Sequence, residues 1–439
     1  MTGISGSQTK RGPLAFPIIP ISSISAAFVD VDHDGDLDIL VAGFADLRKT
    51  QFEPLLGKDG PFAKNSEPTV EGDLFSSVQN LPSAPNLLLR NNGNLTFTDI
   101  TASAGLSGAN SHAVAVVPAD YDNRRDVDLL ILNYKSAPTL FRNQRDTTFR
   151  RVEREAGLDV RGDWSCVAAG DVNKDGFVDF FFGRVDGPGV FALSDGRSHF
   201  KTTAAPSATA GATAVQYFDY DNDGLLDLLA IVPAGVRLWR NVGNSWIETG
   251  ANTISLRSMV AGHGLLDGRS LALGDADNDG DEDVIVRVSE GGLLVLRNDG
   301  GNSNHSIKID LHGKVSNRSA IETKVEMRAG SLYQKLETYS ACPAPAPADL
   351  IFGLGKRERP DAVRVTWPAG IIQSETEFPR TSSAQSRLSI TELDRKPSSC
   401  PYLYTWNGER FEFITDFMGG GEMGYLEEPA RGLPAEPQR

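Results

Sequence analysis

Five short segments of the chain place aspartates at alternate positions, a spacing suited to binding a cation. The first runs from Asp30 to Asp38 and leads into the apolar sequence Ile39-Leu40-Val41. Oxygens at positions one, three and five of a tight loop can converge on one ion, a backbone carbonyl at position seven can add a ligand, and a final carboxylate closes the shell. A glycine at position six permits the sharp turn. The pattern predicts binding of Ca²⁺.

We number these segments loops 1 to 5: residues 30–38, 120–128, 171–179, 219–227 and 275–283. About four calcium ions are predicted, in loops 1, 3, 4 and 5. Their predicted ligands are Asp30, Asp32, Asp34, Asp36 and Asp38; Asp171, Asn173, Asp175 and Asp179; Asp219, Asp221, Asp223 and Asp227; and Asp275, Asp277, Asp279 and Asp283. An EF-hand closes at position twelve on a helix, whereas these loops close at position nine before apolar runs typical of buried strands.

Loop 2, from Asp120 to Asp128, departs from the pattern. Arg124 stands where the third ligand belongs, and Arg125 replaces the glycine. We expect a weak or empty metal site there, with a guanidinium in place of the charge of the ion. The double substitution Arg124→Asp with Arg125→Gly is expected to add one bound calcium.

The loops recur at intervals typical of the blades of a β-propeller. Their first residues are 30, 120, 171, 219 and 275, so the intervals are 90, 51, 48 and 56 residues. A second motif, such as Leu88-Leu89-Arg90-Asn91, follows most loops and predicts another hairpin, which completes four strands per unit. We expect six or seven blades, although five units are visible. The polar stretch at about 44–80 is either an insertion or a decayed blade.

After Asn304 the pattern changes to alternating apolar and polar residues, as in Ala362-Val363-Arg364-Val365-Thr366. This alternation predicts strands with one solvated face, and hence a smaller β-sandwich-like domain. The all-β chain is therefore divided into a propeller (1–302), a second β domain (303–395), and a terminal segment (396–439) with a hairpin turning at Asn407-Gly408.

Composition limits the compartment and the partners. A formal charge of −15 argues against nucleic acid as a partner, and no run of eighteen apolar residues is present to insert into a membrane. No signal peptide is visible, yet calcium loops suit an extracellular, cell-surface or periplasmic setting, so we expect a fragment of an exported protein. Cys166 is expected to be buried, and a disulfide between Cys342 and Cys400 is an open alternative to free thiols.

The loops, with their Leu-x-Arg-Asn-x-Gly sequences, resemble FG-GAP/VCBS repeats, the blades of the integrin α-subunit head. Residues 313–321, Phe352-Gly353-Leu354-Gly355 and Val363-Arg364-Val365-Thr366-Trp367 resemble the ASPIC/UnbV domain that follows such repeats in cartilage acidic protein-like proteins and their bacterial relatives. The resemblance implies an extracellular calcium-binding scaffold with a surface for a partner. It also implies ligand roles for Asp30, Asp32, Asp34 and Asp38 and for their equivalents in loops 3 to 5.

Three functions follow from this pattern. An adhesion-type module that binds an unknown protein or glycan through a propeller face, with calcium stabilising the blade hairpins, is favoured because propeller faces are broad and built from loops. A propeller-based polysaccharide lyase or hydrolase is the enzymatic alternative, although no pair of the six histidines has zinc-ligand spacing. A purely structural module of a larger exported protein is the third.

Overall fold

The computed structural model describes residues 21–46, 82–106, 112–243, 245–249, 271–287, 293–299, 303–347, 349–378, 385–393, 402–408 and 411–416. Apart from a 3-10 helix at Ser207–Thr209, the regular elements in these ranges are β-strands. No helix in this part of the chain has the length and hydropathy needed to span a membrane. The protein is thus nearly all β, as predicted.

Five antiparallel meanders, blades 1 to 5, follow one another along the first part of the chain. Blade 1 contains β1 (Ile21–Val29), β2 (Asp38–Asp46), β3 (Leu87–Asn91) and β4 (Phe97–Asp99). Blade 2 contains β5 (His112–Ala119), β6 (Asp128–Ser136), β7 (Thr139–Asn143) and β8 (Phe149–Arg151). Blade 3 contains β9 (Gly162–Gly170), β10 (Asp179–Arg184), β11 (Val190–Ser194) and β12 (Phe200–Ala204). Blade 4 contains β13 (Ala214–Phe218), β14 (Asp227–Val232), β15 (Gly235–Asn241) and β16 (Trp246–Glu248). The described part of blade 5 contains β17 (Leu271–Gly274), β18 (Asp283–Arg287) and β19 (Leu293–Leu296).

Each acidic loop joins the first strand of a blade to the second, and the blades stack through their apolar second strands. Phe180, Phe181 and Phe182 in β10 are each 0% exposed. Phe180 and Phe182 pack into a core shared with blade 2, whereas Phe181 packs into a core shared with blade 4. A strand covered on both faces needs a continuous apolar run, which explains why the residues after each loop do not alternate. The blade total of six or seven stays a prediction.

The long first interval lies within a single blade. Strands β2 and β3 pair directly, with Leu40 opposite Leu88. The Asp46 amide donates to the Pro82 carbonyl at 2.8 Å, so the two ends of the connecting segment meet. Residues 47–81, which hold most of the predicted insertion, lie outside the described ranges.

The second domain contains two packed sheets. One is ordered β24 (Leu350–Gly355), β20 (His305–His312) and β27 (Gln385–Thr391). The other is ordered β22 (Leu332–Glu337), β21 (Lys324–Ala329), β25 (Ala362–Thr366) and β26 (Ile372–Glu375). Ile307, Phe352, Met327 and Trp367 fill the core between them. This is the β-sandwich-like arrangement that alternation predicted.

Two short elements complete the described strands. Strand β23 (Ala341–Cys342) leaves the second domain and pairs with β1. Strands β28 (Tyr402–Trp406) and β29 (Phe411–Asp416) form an antiparallel hairpin, and Gly408 in its turn has a φ of +103°.

The described cysteines differ in environment. Cys166 is buried in β9, as predicted, and burial raises the pKa of its thiol to about 12. Cys342 is exposed. Cys400 lies outside the described residues, so the disulfide stays a prediction.

Candidate metal centres

The five acidic loops share one backbone shape. Position four has a left-handed conformation in every loop, at His33, Asn123, Lys174, Asn222 and Asn278. Position six is also left-handed, with a φ of +84° at Gly176, which glycine adopts without steric strain. In loop 2 this position is Arg125, with a φ of +77°. Loop 2 therefore keeps the shape of the other loops at a residue type that disfavours it.

The carboxylate at position one is held by backbone amides of its own loop. Asp171 Oδ1 accepts a hydrogen bond from the Asp175 amide at 3.1 Å, and Asp171 Oδ2 accepts one from the Gly176 amide at 2.9 Å. The equivalent pair of bonds forms in loops 1, 2, 4 and 5. The first ligand of each loop is therefore oriented by the fold itself, which lowers the cost of ordering it around an ion.

The aspartate at position nine has a structural role that the sequence analysis missed. Asp179 is fully buried; its Oδ2 accepts the Val172 amide at 3.1 Å and its Oδ1 accepts the Ser194 amide at 2.7 Å. Equivalent bonds form at Asp38, Asp227 and Asp283. This carboxylate ties the acidic loop to the turn after the third strand. This role could have been inferred from the sequence, because the aspartate is always the first residue of the second strand.

In four loops, three carboxylates come within 4.8 Å of one another and could share one ion. The groups are Asp30, Asp32 and Asp34; Asp120, Asp122 and Asp128; Asp219, Asp221 and Asp227; and Asp275, Asp277 and Asp279. Most of the predicted ligands of loops 1, 4 and 5 are thus brought together. Loop 2 converges as well, although its sequence departs from the pattern.

Other predicted ligands lie outside these groups: Asp36, Asp38, Asp223, Asp283 and the residues of loop 3. Asp223 Oδ2 accepts a hydrogen bond from Arg240 Nη2 at 2.7 Å. In loop 3 the third ligand is the amide of Asn173, whose Oδ1 accepts the Asp175 amide at 3.0 Å. The carboxylates Asp171, Asp175 and Asp179 do not all approach to the same distance.

The electrostatics of the loops favour a cation. Burial, with the charge of Asp175 nearby, raises the pKa of Asp171 to about 6. Burial, with the charges of Asp171 and Asp175, raises the pKa of Asp179 to about 8. Asp32 Oδ1 and Asp221 Oδ1 are buried oxygens without a hydrogen-bond partner. Unpaired carboxylate oxygens are the ligands that a hard divalent cation prefers, so the donor set of these loops fits calcium.

The carboxylates of loop 2 are paired with cations of the chain itself, as Asp221 and Asp223 of loop 4 are with Arg240. Arg124 Nε donates to Asp122 Oδ2 at 2.7 Å. A guanidinium therefore lies against the carboxylate at position three, as the sequence suggested. The ammonium of Lys324, in β21 of the second domain, pairs with Asp120 Oδ2. No sequence pattern indicated this second cation, since Lys324 lies about two hundred residues from Asp120.

The second domain covers the face of the propeller that carries the acidic loops. It contacts all five loops. In loops 1 and 2, Glu322 Oε1 accepts the Asp30 amide at 2.8 Å and Lys324 pairs with Asp120. In loops 3, 4 and 5, carbonyls accept hydrogen bonds from the second domain: Gly176 from Lys335 Nζ at 2.8 Å, Asn222 from the Gly355 amide at 2.8 Å, and Gly280 from Ser306 Oγ at 3.1 Å. The candidate metal centres therefore lie at a domain interface.

A segment of the second domain, residues 340–346, also runs along the first strands of three blades. The Phe28 amide in β1 donates to the Ser340 carbonyl at 2.8 Å, and the Ala169 amide in β9 donates to the Pro345 carbonyl at 3.0 Å. Gln216 Nε2 in β13 donates to the Ala344 carbonyl at 3.4 Å. The segment is rich in proline, which has no amide to leave unpaired, so its carbonyls serve as acceptors.

Comparison with known families agrees with this architecture. FG-GAP-like repeats match residues 120–182, 171–230 and 219–286, and the ASPIC and UnbV family matches residues 313–397. The chain carries FG-GAP-like repeats and an ASPIC/UnbV domain. The repeat matches contain loops 2 to 5, and the ASPIC/UnbV match begins just after β20.

Cartilage acidic protein 1 of two mammals is similar in sequence to this chain. The chain is 27% identical over 372 residues to cartilage acidic protein 1 of Homo sapiens, covering 80% of this chain and 51% of that protein. It is 26% identical over 323 residues to the Mus musculus protein, covering 69% of this chain and 48% of that protein. The chain thus spans about half the length of the curated relatives it matches.

Among solved structures, one match to this chain is the Vibrio cholerae biofilm matrix protein Bap1. The two are 9% identical with a TM-score of 0.35, and the match covers 83% of this chain and 60% of that chain. Another is an Agrocybe aegerita lectin described as recognising non-reducing terminal N-acetylglucosamine, at 17% identity with a TM-score of 0.34, covering 64% of this chain and 82% of that chain. These scores are too low to inform the fold or the function.

Proposed function

We propose that this protein is an extracellular, calcium-stabilised binding module that presents the propeller face opposite its acidic loops to a protein or glycan partner. One observation supports the choice of face: the ASPIC/UnbV domain contacts all five acidic loops. A partner that needed the same loops would have to displace a domain of the chain itself. The opposite face has no such competitor among the described residues.

The opposite face is formed by the connections from second to third strands. In blades 2, 3 and 4 these connections are short, as at Ala137–Pro138 and Pro233–Ala234. In blade 1 the connection is long, and its ends at Asp46 and Pro82 are hydrogen-bonded. Loops held on a rigid scaffold are the usual place for recognition, and a large insertion extends the surface available to a partner.

Calcium has a mechanical role in this proposal. Each ion neutralises carboxylates that the fold holds together, and without it the like charges repel one another. Extracellular calcium is abundant enough to fill modules of modest affinity, which is the setting that the related cartilage acidic proteins also suggest. Calcium therefore keeps the blades and the covering domain in place, and the partner binds elsewhere.

An array of extracellular proteins and glycans, probed with the whole chain, tests this proposal. Lys135→Glu with Val185→Glu changes two exposed residues at the second-to-third strand connections. Arg154→Glu with Ile247→Glu is the matched control, since both residues are exposed outside those connections. We expect the first pair to weaken binding at least tenfold and the control pair to leave it unchanged. Equal effects of both pairs would contradict the assignment of the face.

A further inference from the structure

Loop 2 disagrees with the calcium pattern in a way that the structure explains. Its sequence lacks the third ligand and the glycine, yet its backbone has the same turn as the other loops, and Asp120, Asp122 and Asp128 still converge within 4.8 Å. Three buried or half-buried carboxylates at that distance require positive charge nearby. The contacts of loop 2 show which group supplies this positive charge.

The second domain supplies an ammonium at the innermost carboxylate. The side chain of Lys324 is 13% exposed and that of Asp120 is 3% exposed, so their ion pair is shielded from water. Asp120 also accepts the amides of Arg124 at 2.9 Å and Arg125 at 2.6 Å. The position-one carboxylate thus has three nitrogen donors. In loops 3 and 4 the position-one carboxylate also accepts the amides of positions five and six. Within the described residues it has no hydrogen bond from an ammonium group.

The ammonium belongs to a group of paired, buried charges between the domains. Lys335 Nζ lies 3.0 Å from Glu337 Oε1 and donates to Asn123 Oδ1 of loop 2 at 2.7 Å. Two lysines therefore face two acids, Asp120 and Glu337. Burial raises the pKa of Glu337, but Lys335 and Lys324 outweigh burial and leave that pKa below its ordinary value. Pairing of each of these acids with a lysine makes such burial tolerable.

We propose that the Lys324 ammonium is the resident cation of loop 2. Loop 2 is then a metal-independent clamp between the propeller and the ASPIC/UnbV domain, whereas bound calcium strengthens the contacts that the other loops make with that domain. The contrast with the other loops rests on the proposed function, because it takes calcium as their ion. The clamp itself rests on the contacts of Lys324 alone.

The clamp also hides a latent metal site. Asp128 Oδ2 is buried without a hydrogen-bond partner, so an oxygen ligand remains available in loop 2. Replacing Arg124 and Arg125 restores the ligand and the glycine, but leaves the ammonium on Asp120. On this proposal the double substitution is insufficient, and an ion binds only when Lys324 is also removed.

Calcium stoichiometry, measured by equilibrium dialysis on the whole chain, tests the proposal. The variants are Arg124→Asp/Arg125→Gly, the same pair with Lys324→Met, and the same pair with Lys308→Met. Lys308 is the matched control because it is a half-buried lysine of the second domain that pairs with Asp349, 2.7 Å away. We expect one additional ion only in the variant that contains Lys324→Met. An additional ion of equal affinity in the double variant would overturn the proposal.

A second measurement needs no bound calcium. In chelator, Lys324→Met alone leaves Asp120 buried without its partner, and we expect its melting temperature to fall by roughly 5 °C relative to Lys308→Met. Equal melting temperatures would overturn the clamp, even if the triple variant did not fold. A wild-type chain that binds no calcium would instead contradict the proposed function and leave this comparison to decide the clamp.

Discussion

Individual aspartates of the acidic loops have separate tasks that their spacing does not distinguish. Position one is held by amides of the loop, and position nine is held by amides of the loop and of the next turn. Position nine therefore stabilises the blade whether or not an ion is present. This difference can be measured, because a backbone hydrogen bond does not depend on calcium.

Asp179→Asn should destabilise the protein in calcium and in chelator alike. An asparagine keeps one acceptor oxygen but turns an NH₂ group toward a backbone amide, so one buried amide loses its partner at a cost of about 1 to 3 kcal/mol. Asp175→Ala, at the exposed fifth position, should lower the free energy of unfolding only when calcium is present. Urea denaturation in both conditions checks the pair. A loss for Asp179→Asn that vanishes in chelator would assign this residue to the ion instead.

Among the elements, the strands and their loops could be predicted, because their signals are local. The acidic loop, the apolar run after it, and the alternation in Val363-Arg364-Val365 each reflect burial of one or two strand faces. The spacing of the aspartates also predicted which residue begins each second strand. Its tie to the next turn was missed, since a carboxylate can serve an ion or an amide equally well in sequence.

The packing of one domain on the other could not be predicted, because it depends on pairs that are far apart in sequence. Lys324 and Lys335 looked like ordinary alternating residues of solvated strands, yet they lie against loops 2 and 3. The carbonyls of Ala344 and Pro345 accept hydrogen bonds from first strands of two blades, a contact that no sequence pattern indicated. Periodicity identifies a face but does not say what covers it.

Gly353 in β24 tests the contact between that strand and loop 4. A Cβ atom at this position would lie 2.0 Å from Asp219 Oδ2 and 2.5 Å from the backbone of Asn222. We expect Gly353→Ala to lower the free energy of unfolding by about 1 to 3 kcal/mol, because the strand and the loop must separate. Gly274→Ala is the control, since a Cβ there meets nothing within 4 Å. Equal melting curves for the two variants would contradict the described contact.

For the whole molecule, the proposed function makes calcium and the covering domain parts of one mechanical system. The chain has a formal charge of −15, and many of its acids lie where the propeller meets the ASPIC/UnbV domain. Removing the ions leaves repulsion between those carboxylates, which salt screens only in part because the groups are buried. We expect chelation to lower the melting temperature and calcium to restore it. An unchanged melting curve would contradict calcium stabilisation.

Separation of the two domains should require the loss of both the ions and the clamp. In the chelated wild-type chain, the Lys324–Asp120 pair and residues 340–346 still join the domains, so the maximum dimension from small-angle X-ray scattering should stay close to that of the calcium form. Chelated Lys324→Met keeps residues 340–346 and the hydrogen bonds of the other loops but lacks the clamp, so its maximum dimension should increase. Lys324→Arg keeps a cation opposite Asp120 and should behave as the wild type does. Equal expansion of the chelated wild type and of chelated Lys324→Met would show that the ammonium does not hold the domains together.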